Sequence, residues 1–313
     1  MQISRTSRSI SFALVFSLLA MFLTGCSETP STQKETEKQT APIKIGMLIS
    51  MTADTPFFIT LMDGAKKEAQ RLGVEVVAEY AADDPALQSR QIQKMMDDKV
   101  SAIFINPVDA SIVPAIEEAN KAGVPVFTFD RGAAGGEIVS HIASDNVTGG
   151  EMAGIYMTQA LNGKGMIVEL EGTENSSAAV ERGKGFNRAM SKATEIEIIA
   201  RESADFNQAK GKVVFASMLA DHPQIDGVFA HNDDMILGAL AAAREAGREK
   251  DIVFVGFDAV EDAVKALQAG DLAATVAQQP AEIGRISIQS AAKHLKGESL
   301  PNFIPVDLAL ITR

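Results

Sequence analysis

Ala102-Ile103-Phe104-Ile105-Asn106-Pro107-Val108-Asp109 runs through a helical stretch to Ala122-Gly123 and on to Val124-Pro125-Val126-Phe127-Thr128-Phe129-Asp130. Gly227-Val228-Phe229-Ala230-His231-Asn232-Asp233-Asp234 runs in the same way to Ala246-Gly247 and on to Ile252-Val253-Phe254-Val255-Gly256-Phe257-Asp258. In each stretch an Asn closes one apolar run and an Asp closes the next, 24 positions later in the first and 26 in the second. Open α/β sheets bind ligands outside the carboxyl ends of their strands. Polar residues planted there in two copies therefore predict two domains facing one ligand.

The flanking sequence keeps the same rhythm. Strands are predicted at 43–49, 74–80, 102–106 and 124–130, separated by helices at 57–72, 85–98 and 111–121. This is a βαβ series, hence a parallel sheet covered on both faces. Gly73 and Gly123 sit just past helix ends, where φ > 0 is common, and Pro56 and Pro85 sit where a first helical turn tolerates a missing N–H. After 137–144 a second series follows: helices at 149–161, 178–192, 208–219 and 235–245 alternate with strands at 166–171, 195–203, 227–230 and 252–257. A strand at 274–278, a helix at 282–295 and an extended apolar segment at 303–312 remain. Such leftovers suit a chain that returns to its first domain and then crosses back.

At 313 residues, 46% apolar and 22% charged, the chain has material for two ordinary cores. Its start is different. Arg5 and Arg8 precede an apolar run from Ile10 to Leu23, which reads as the core of an export signal over 1–25. Leu23-Thr24-Gly25-Cys26 resembles the lipobox of bacterial lipoproteins, so Cys26, the sole cysteine, is expected to carry lipid. Residues 26–42 are Ser, Thr, Glu, Lys and Gln-rich without apolar period and read as a solvated tether. Loss of Arg5 and Arg8 with the signal moves the net charge from -12 to -14. An acidic chain with no basic face argues against nucleic-acid binding.

Enzymatic equipment is missing. No phosphate-binding glycine loop follows a strand, and Gly183-Lys184-Gly185 lies inside a helical stretch, so no nucleotide cofactor is expected. His141, His222, His231 and His294 lack the spacing of a zinc site, and no metal is expected. His231 reads as a surface or packing residue. Asp233-Asp234 read as cap and first-turn residues of the next helix. What remains suits a neutral polyol. Asn106, Asp130, Asn232, Asp258 and Gln278 fall at predicted strand ends, and Arg131 follows Asp130. Planar Asp, Asn, Gln and Arg groups can each meet two neighbouring hydroxyls. With Arg182, two Asp and two Arg balance, which points to an uncharged ligand. Phe57, Phe58 and Phe206 could pack the apolar faces of a sugar ring, in a chain with no Trp and two Tyr.

Residues 43–313 resemble the ribose-binding branch of the type I periplasmic sugar-binding proteins. The resemblance rests on Pro56-Phe57-Phe58, Ile105-Asn106-Pro107, Phe129-Asp130-Arg131, the run from Ser140 to Asn146, Glu181-Arg182-Gly183-Lys184-Gly185-Phe186, Ala204-Asp205-Phe206, Asn232-Asp233, Val255-Gly256-Phe257-Asp258 and Ala277-Gln278. It implies an α/β fold of two doubly wound parallel-sheet lobes joined by a three-segment hinge. One lobe would comprise 43–144 and 279–307, the other 145–278 and 308–313. It further implies that Phe57, Phe58 and Phe206 stack on a sugar while Asn106, Asp130, Arg131, Arg182, Asn232, Asp258 and Gln278 bond its hydroxyls and ring oxygen. Thr55 stands where the ribose binders carry Asn, after a segment one residue longer, which leaves allose or psicose open beside D-ribose.

The expected function is that of a monomeric, lipid-anchored extracytoplasmic protein that captures a monosaccharide between closing lobes and delivers it to an ABC permease. A sensory receptor for chemotaxis or a membrane kinase is the alternative. An enzyme on the same fold lacks a nucleophile–base pair.

Overall fold

The computed structural model describes residues 43–313. The export signal, Cys26 and the tether lie outside the described residues.

Short apolar runs form the strands of a first sheet, β1 (Lys44–Ile49), β2 (Glu75–Tyr80), β3 (Ala102–Ile105), β4 (Val126–Phe129) and β5 (His141–Ser144). Between them lie α1 (Pro56–Leu72), α2 (Pro85–Asp97) and α3 (Val113–Lys121). The helix boundaries have local causes. Pro56 and Pro85 open α1 and α2, and the Asp84 carboxylate accepts from the N–H groups of Ala86 and Leu87 at 2.8 and 3.0 Å. Gly73 ends α1 at φ 68, where its N–H reaches back to carbonyls of the last turn.

The second series consists of α4 (Asn146–Ala160), β6 (Lys164–Glu171), α5 (Ser177–Met190), β7 (Glu195–Ser203), α6 (Gln208–Asp221), β8 (Gly227–Ala230), α7 (Asp233–Glu245), β9 (Val253–Asp258), α8 (Glu261–Ala269) and β10 (Ala274–Ala277). The chain ends with α9 (Pro280–His294), β11 (Phe303–Val306) and β12 (Ala309–Thr312).

Each sheet has six strands, in the orders β2-β1-β3-β4-β5-β11 and β7-β6-β8-β9-β10-β12. The first five strands of each share one winding order, in which the connections reverse direction at the second position. The repeated stretches occupy equivalent places: β3 and β4 in one sheet, β8 and β9 in the other. All pairings are parallel except β10 with β12. That antiparallel edge departs from a purely parallel reading: β11 runs to the carboxyl ends of the first sheet, and the two-residue link of Asp307 and Leu308 starts β12 at the carboxyl end of β10, so it must run back along that strand.

Helix α8 is a further departure. The sequence reading gives 261–269 no element, although Ala263, Val264, Ala266 and Leu267 carry a helical apolar period over nine residues. Parallel β9 and β10 nonetheless need a crossover, and α8 supplies it.

Apolar clusters cover both faces of both sheets. Side chains from α1 and α9 pack one face of the first sheet, and those of α2 and α3 the other. In the second lobe α4 and α5 cover one face, and α6, α7 and α8 the other. The chain passes between sheets after Ser144, again between Ala277 and α9, and a third time between Val306 and Ala309. At the crossings Gln279 Nε2 donates to the Asp307 carbonyl at 3.0 Å, which ties two of the segments together.

Candidate ligand-binding site

The carboxyl ends of both sheets face one crevice. Its cavity has an empty volume of about 490 Å³, part of it continuous with solvent. Of the sequence candidates, Thr55, Phe57, Phe58, Asp130, Arg131, Arg182, Phe206, Asn232, Asp258 and Gln278 line it.

Strand ends deliver the acids. Asp130 follows β4 at φ 58, and Asp258 ends β9 at φ 120, both in a region that costs a non-glycine residue energy. Asp205 and Phe206, in the turn after β7, share that strain at φ 53 and 57. Outliers of this kind at equivalent strand ends mark backbone held for a purpose rather than for ease of folding. Gly172 is part of the same construction. A Cβ there would meet the Phe206 ring at 2.1 Å, so only glycine lets the ring lie against this backbone.

Arg182 is 3% exposed and held on several sides. Nε donates to Asn146 Oδ1 at 2.9 Å, and Nη1 donates to the His231 carbonyl at 2.5 Å and lies 3.5 Å from Asp258 Oδ1. The guanidinium also stacks 3.9 Å from the centre of the Phe257 ring. Gln278 Nε2 donates to Asp258 Oδ1 at 2.6 Å. From the other lobe, the Arg131 guanidinium sits 5.2 Å from the centre of the Phe206 ring and close to the Met51 sulfur. Phe57 and Phe58 meet edge to face at 5.2 Å, and Phe58 continues into the core against Phe129.

Asn106 is not where the sequence reading placed it. It is fully buried behind Asp130 rather than on the cavity wall. Its carbonyl oxygen accepts from the Ser50 hydroxyl and N–H, while Nδ2 donates to Asp130 Oδ2 at 2.9 Å and to the Phe129 carbonyl. Both ends of the amide are thus used within the lobe, and Asn106 orients Asp130. Asn232 lines the cavity and also caps α7, accepting from the Met235 N–H at 3.0 Å and donating to the Phe206 carbonyl. One amide hydrogen and one lone pair are left to it. His231 packs inside the second lobe, with Nδ1 accepting from the Gly172 N–H and Nε2 at 2.9 Å from buried Glu169.

Met51, Pro56, Ala178, Asp234 and Val260 complete the lining. Asp233 is buried and turned away, accepting from the Thr275 hydroxyl and the Val260 N–H. The balance of two Asp against two Arg therefore omits Asp234 on the wall and Asp233 behind it. Among the described residues no group of three or more His, Cys, Asp or Glu is arranged around a metal ion.

Burial raises Asp130 above the usual carboxylate range, opposed by Arg131, Arg182 and the Asn106 amide. Burial also pushes Asp258 up to about 7, against Arg182 and Gln278 and with help from Asp130. Asp233 is raised well above the ordinary value by burial and then by Asp258. Because Asp258 binds its proton more tightly folded than unfolded, its stabilising contribution is full below about 3.8 and is lost as pH rises through about 7. Ligand hydroxyls donating to this carboxylate favour its charged form, so binding runs in the opposite direction. Affinity for a neutral polyhydroxyl ligand is expected to rise with pH, by up to about tenfold per unit below the pKa, and to level off above it. Calorimetric titrations from pH 5 to 9 check this, and a flat profile contradicts it.

The charged and amide groups can bond a polyol in plane while phenyl rings cover its C–H faces. Comparison with known proteins agrees with a binding role. Residues 45–299 match the periplasmic binding protein domain. The ribose import binding protein of Escherichia coli is 43% identical over 267 residues, spanning 85% of this chain and 90% of its own. That of Bacillus subtilis is 38% identical over 304 residues, 96% of this chain and 98% of its own. A solute-binding protein of Actinobacillus succinogenes, solved with bound D-allose, superposes with a TM-score of 0.81 at 26% identity, covering 86% of this chain and 97% of that one. By this match over most of its length the chain belongs to the periplasmic binding proteins, an extracytoplasmic family, and it is a binding protein rather than an enzyme.

Proposed function

We propose that this protein captures a ribose-like monosaccharide between its two lobes and delivers it to an ABC permease. The observation that carries the reading is the cavity wall itself: Asp130 and Arg131 from one lobe, Arg182, Asp258 and Gln278 from the other, with Phe57 and Phe206 beside them. Two Asp and two Arg of this set balance without a ligand charge, burial raises the third wall acid, Asp234, toward its neutral form, and each hydroxyl left out would strand a buried polar group. The likeness to ribose import binding proteins supports ribose in particular. D-Ribose, D-allose, D-psicose, D-xylose and D-galactose in a thermal-shift screen test the assignment, and no stabilisation by any of them would remove it.

D-Allose is the second reading. Thr55 is the N-cap residue of α1 yet makes no capping hydrogen bond, and its hydroxyl lies 3.4 Å from that of Thr52. A hydroxyl on the cavity wall, in place of an amide, alters which sugar fits best.

Ligand capture would work by closure of the lobes about the hinge formed where 43–144 and 279–307 meet 145–278 and 308–313. Contacts that join the lobes around the cavity are then part of the affinity. Beside Arg131, the Gly132 N–H donates to the Ser177 hydroxyl at 2.7 Å, from one lobe to the first residue of α5 in the other. Ser177→Ala removes a bond that joins the two lobes beside the cavity. At about 1 kcal/mol, sugar affinity should fall roughly fivefold with little change in unfolding temperature. An unchanged dissociation constant by calorimetry would exclude the contact from closure.

Lipid attachment at Cys26 and tethering to a membrane are what the lipobox and tether of the sequence support. Metabolic labelling with a fatty-acid analogue, lost in Cys26→Ser, tests the anchor.

A further inference from the structure

We propose that Asn146 is a positioning residue for sugar binding: it fixes the edge of the Arg182 guanidinium that faces the ligand and ties that group to the first crossover between lobes. The inference rests on the proposed function. Asn146 opens α4, two residues after the chain leaves the first sheet at Ser144, and it is 2% exposed. The helical period in the sequence starts only at 149, so Asn146 carries no local sign of a role at the site.

A guanidinium has three nitrogens that can donate, and rotation about its last bonds decides which of them reach a ligand. Asn146 Oδ1 takes Nε at 2.9 Å, and the His231 carbonyl takes Nη1. Stacking on Phe257 restricts the plane. Nη2 has no hydrogen-bond partner among the described residues, and Arg182 lines the cavity, so Nη2 is the donor left for a hydroxyl. Without Asn146 the guanidinium is pinned at one nitrogen and can swing within its plane.

The backbone makes this pairing rigid. A Cβ on Gly150 would come within 2.0 Å of the Arg182 carbonyl oxygen, and one on Gly185 within 2.0 Å of the Val147 carbonyl oxygen. Helices α4 and α5 thus touch main chain to main chain next to the Asn146–Arg182 bond. Because α4 begins at the crossover, displacement of Arg182 by a ligand bears directly on the segment about which the lobes would move. The Asp145 carboxylate accepts from the Thr148 N–H at 3.0 Å, which fixes this end of α4 independently of Asn146.

The experiment compares the wild-type chain, Asn146→Ala and Asn146→Asp by calorimetry with D-ribose, with D-allose and D-psicose run beside it, well below the melting temperatures measured for each protein. Asp retains an acceptor for Nε and Ala does not. Asn146→Ala is expected to bind at least tenfold more weakly, and Asn146→Asp within about threefold of wild type. Equal affinity of wild type and Asn146→Ala overturns the proposal. So does a loss in Asn146→Asp as large as that in Asn146→Ala, since a role in folding alone would not be rescued by the acceptor. Failure of the wild-type chain to bind any of the sugars instead overturns the proposed function, and this inference with it.

Discussion

Arg182→Ala is expected to abolish measurable sugar binding and to destabilise the second lobe at the same time. The two effects share a cause. Arg182 is the cation nearest Asp258, and it also satisfies Asn146 and the His231 carbonyl. Removing it leaves a buried carboxylate without its counter-charge, and breaking such a pair from one side costs about 3–5 kcal/mol. Asp258 would then rise further, because burial raises it already and Arg182 leads the groups opposing that rise. On the binding side, loss of charged donors and of the shape of the wall should weaken affinity by about a thousandfold or more. Calorimetry and thermal unfolding together check both parts. Wild-type affinity in this variant would mean that the ligand does not touch the wall formed by α5.

Gly284→Val should produce the largest loss of stability outside the site. Helices α1 and α9 cross where a Cβ on Gly284 would stand 2.0 Å from the Leu61 carbonyl oxygen and one on Gly64 2.0 Å from the Ala281 carbonyl oxygen. Neither neighbour is a flexible side-chain tip, so the helices must separate. Separation would open the packing of Ile283, Ile288 and Ala291 against Leu61 and Ala65. A cost above about 3 kcal/mol follows, with a melting temperature lower by about 6–12 °C. Binding should weaken as well, because α1 carries Phe57 and Phe58 at its start. Thermal denaturation followed by circular dichroism measures the shift, and a change under about 2 °C would contradict this reading of the crossing.

Both predictions rest on features of different legibility. The repeated Asn-to-Asp stretches could be read directly, since apolar runs of strand length punctuated by helical periods declare a βαβ series and its carboxyl ends. Asp130, Asp258 and Gln278 are therefore legible as crevice residues. Strand position alone does not say how deep a side chain lies. Asn106 and Asn232 occupy equivalent places in the two copies, yet Asn106 is sealed behind Asp130 while Asn232 reaches the wall. The difference comes from Ser50 at the end of β1, which has no counterpart visible in the repeat.

Helix α8 is legible although the sequence reading omits it: Ala263, Val264, Ala266 and Leu267 carry a helical period, and parallel β9 and β10 require a crossover between them. Met51 joins the site from the loop after β1 and Asp234 from the first turn of α7, and no spacing rule signals either as a wall residue. Asn146 and Gly150 carry no local sign of their proximity to Arg182, which arises only when α4 and α5 pack.

A calorimetric titration of the purified mature chain with D-ribose, extended to D-allose, D-psicose, D-xylose and D-galactose, tests the central claim most directly. One saturable site per chain for at least one of these sugars, with binding lost in Arg182→Ala, is the predicted result. Absence of binding for every sugar, or binding undiminished in Arg182→Ala, would contradict capture of a monosaccharide between the two lobes.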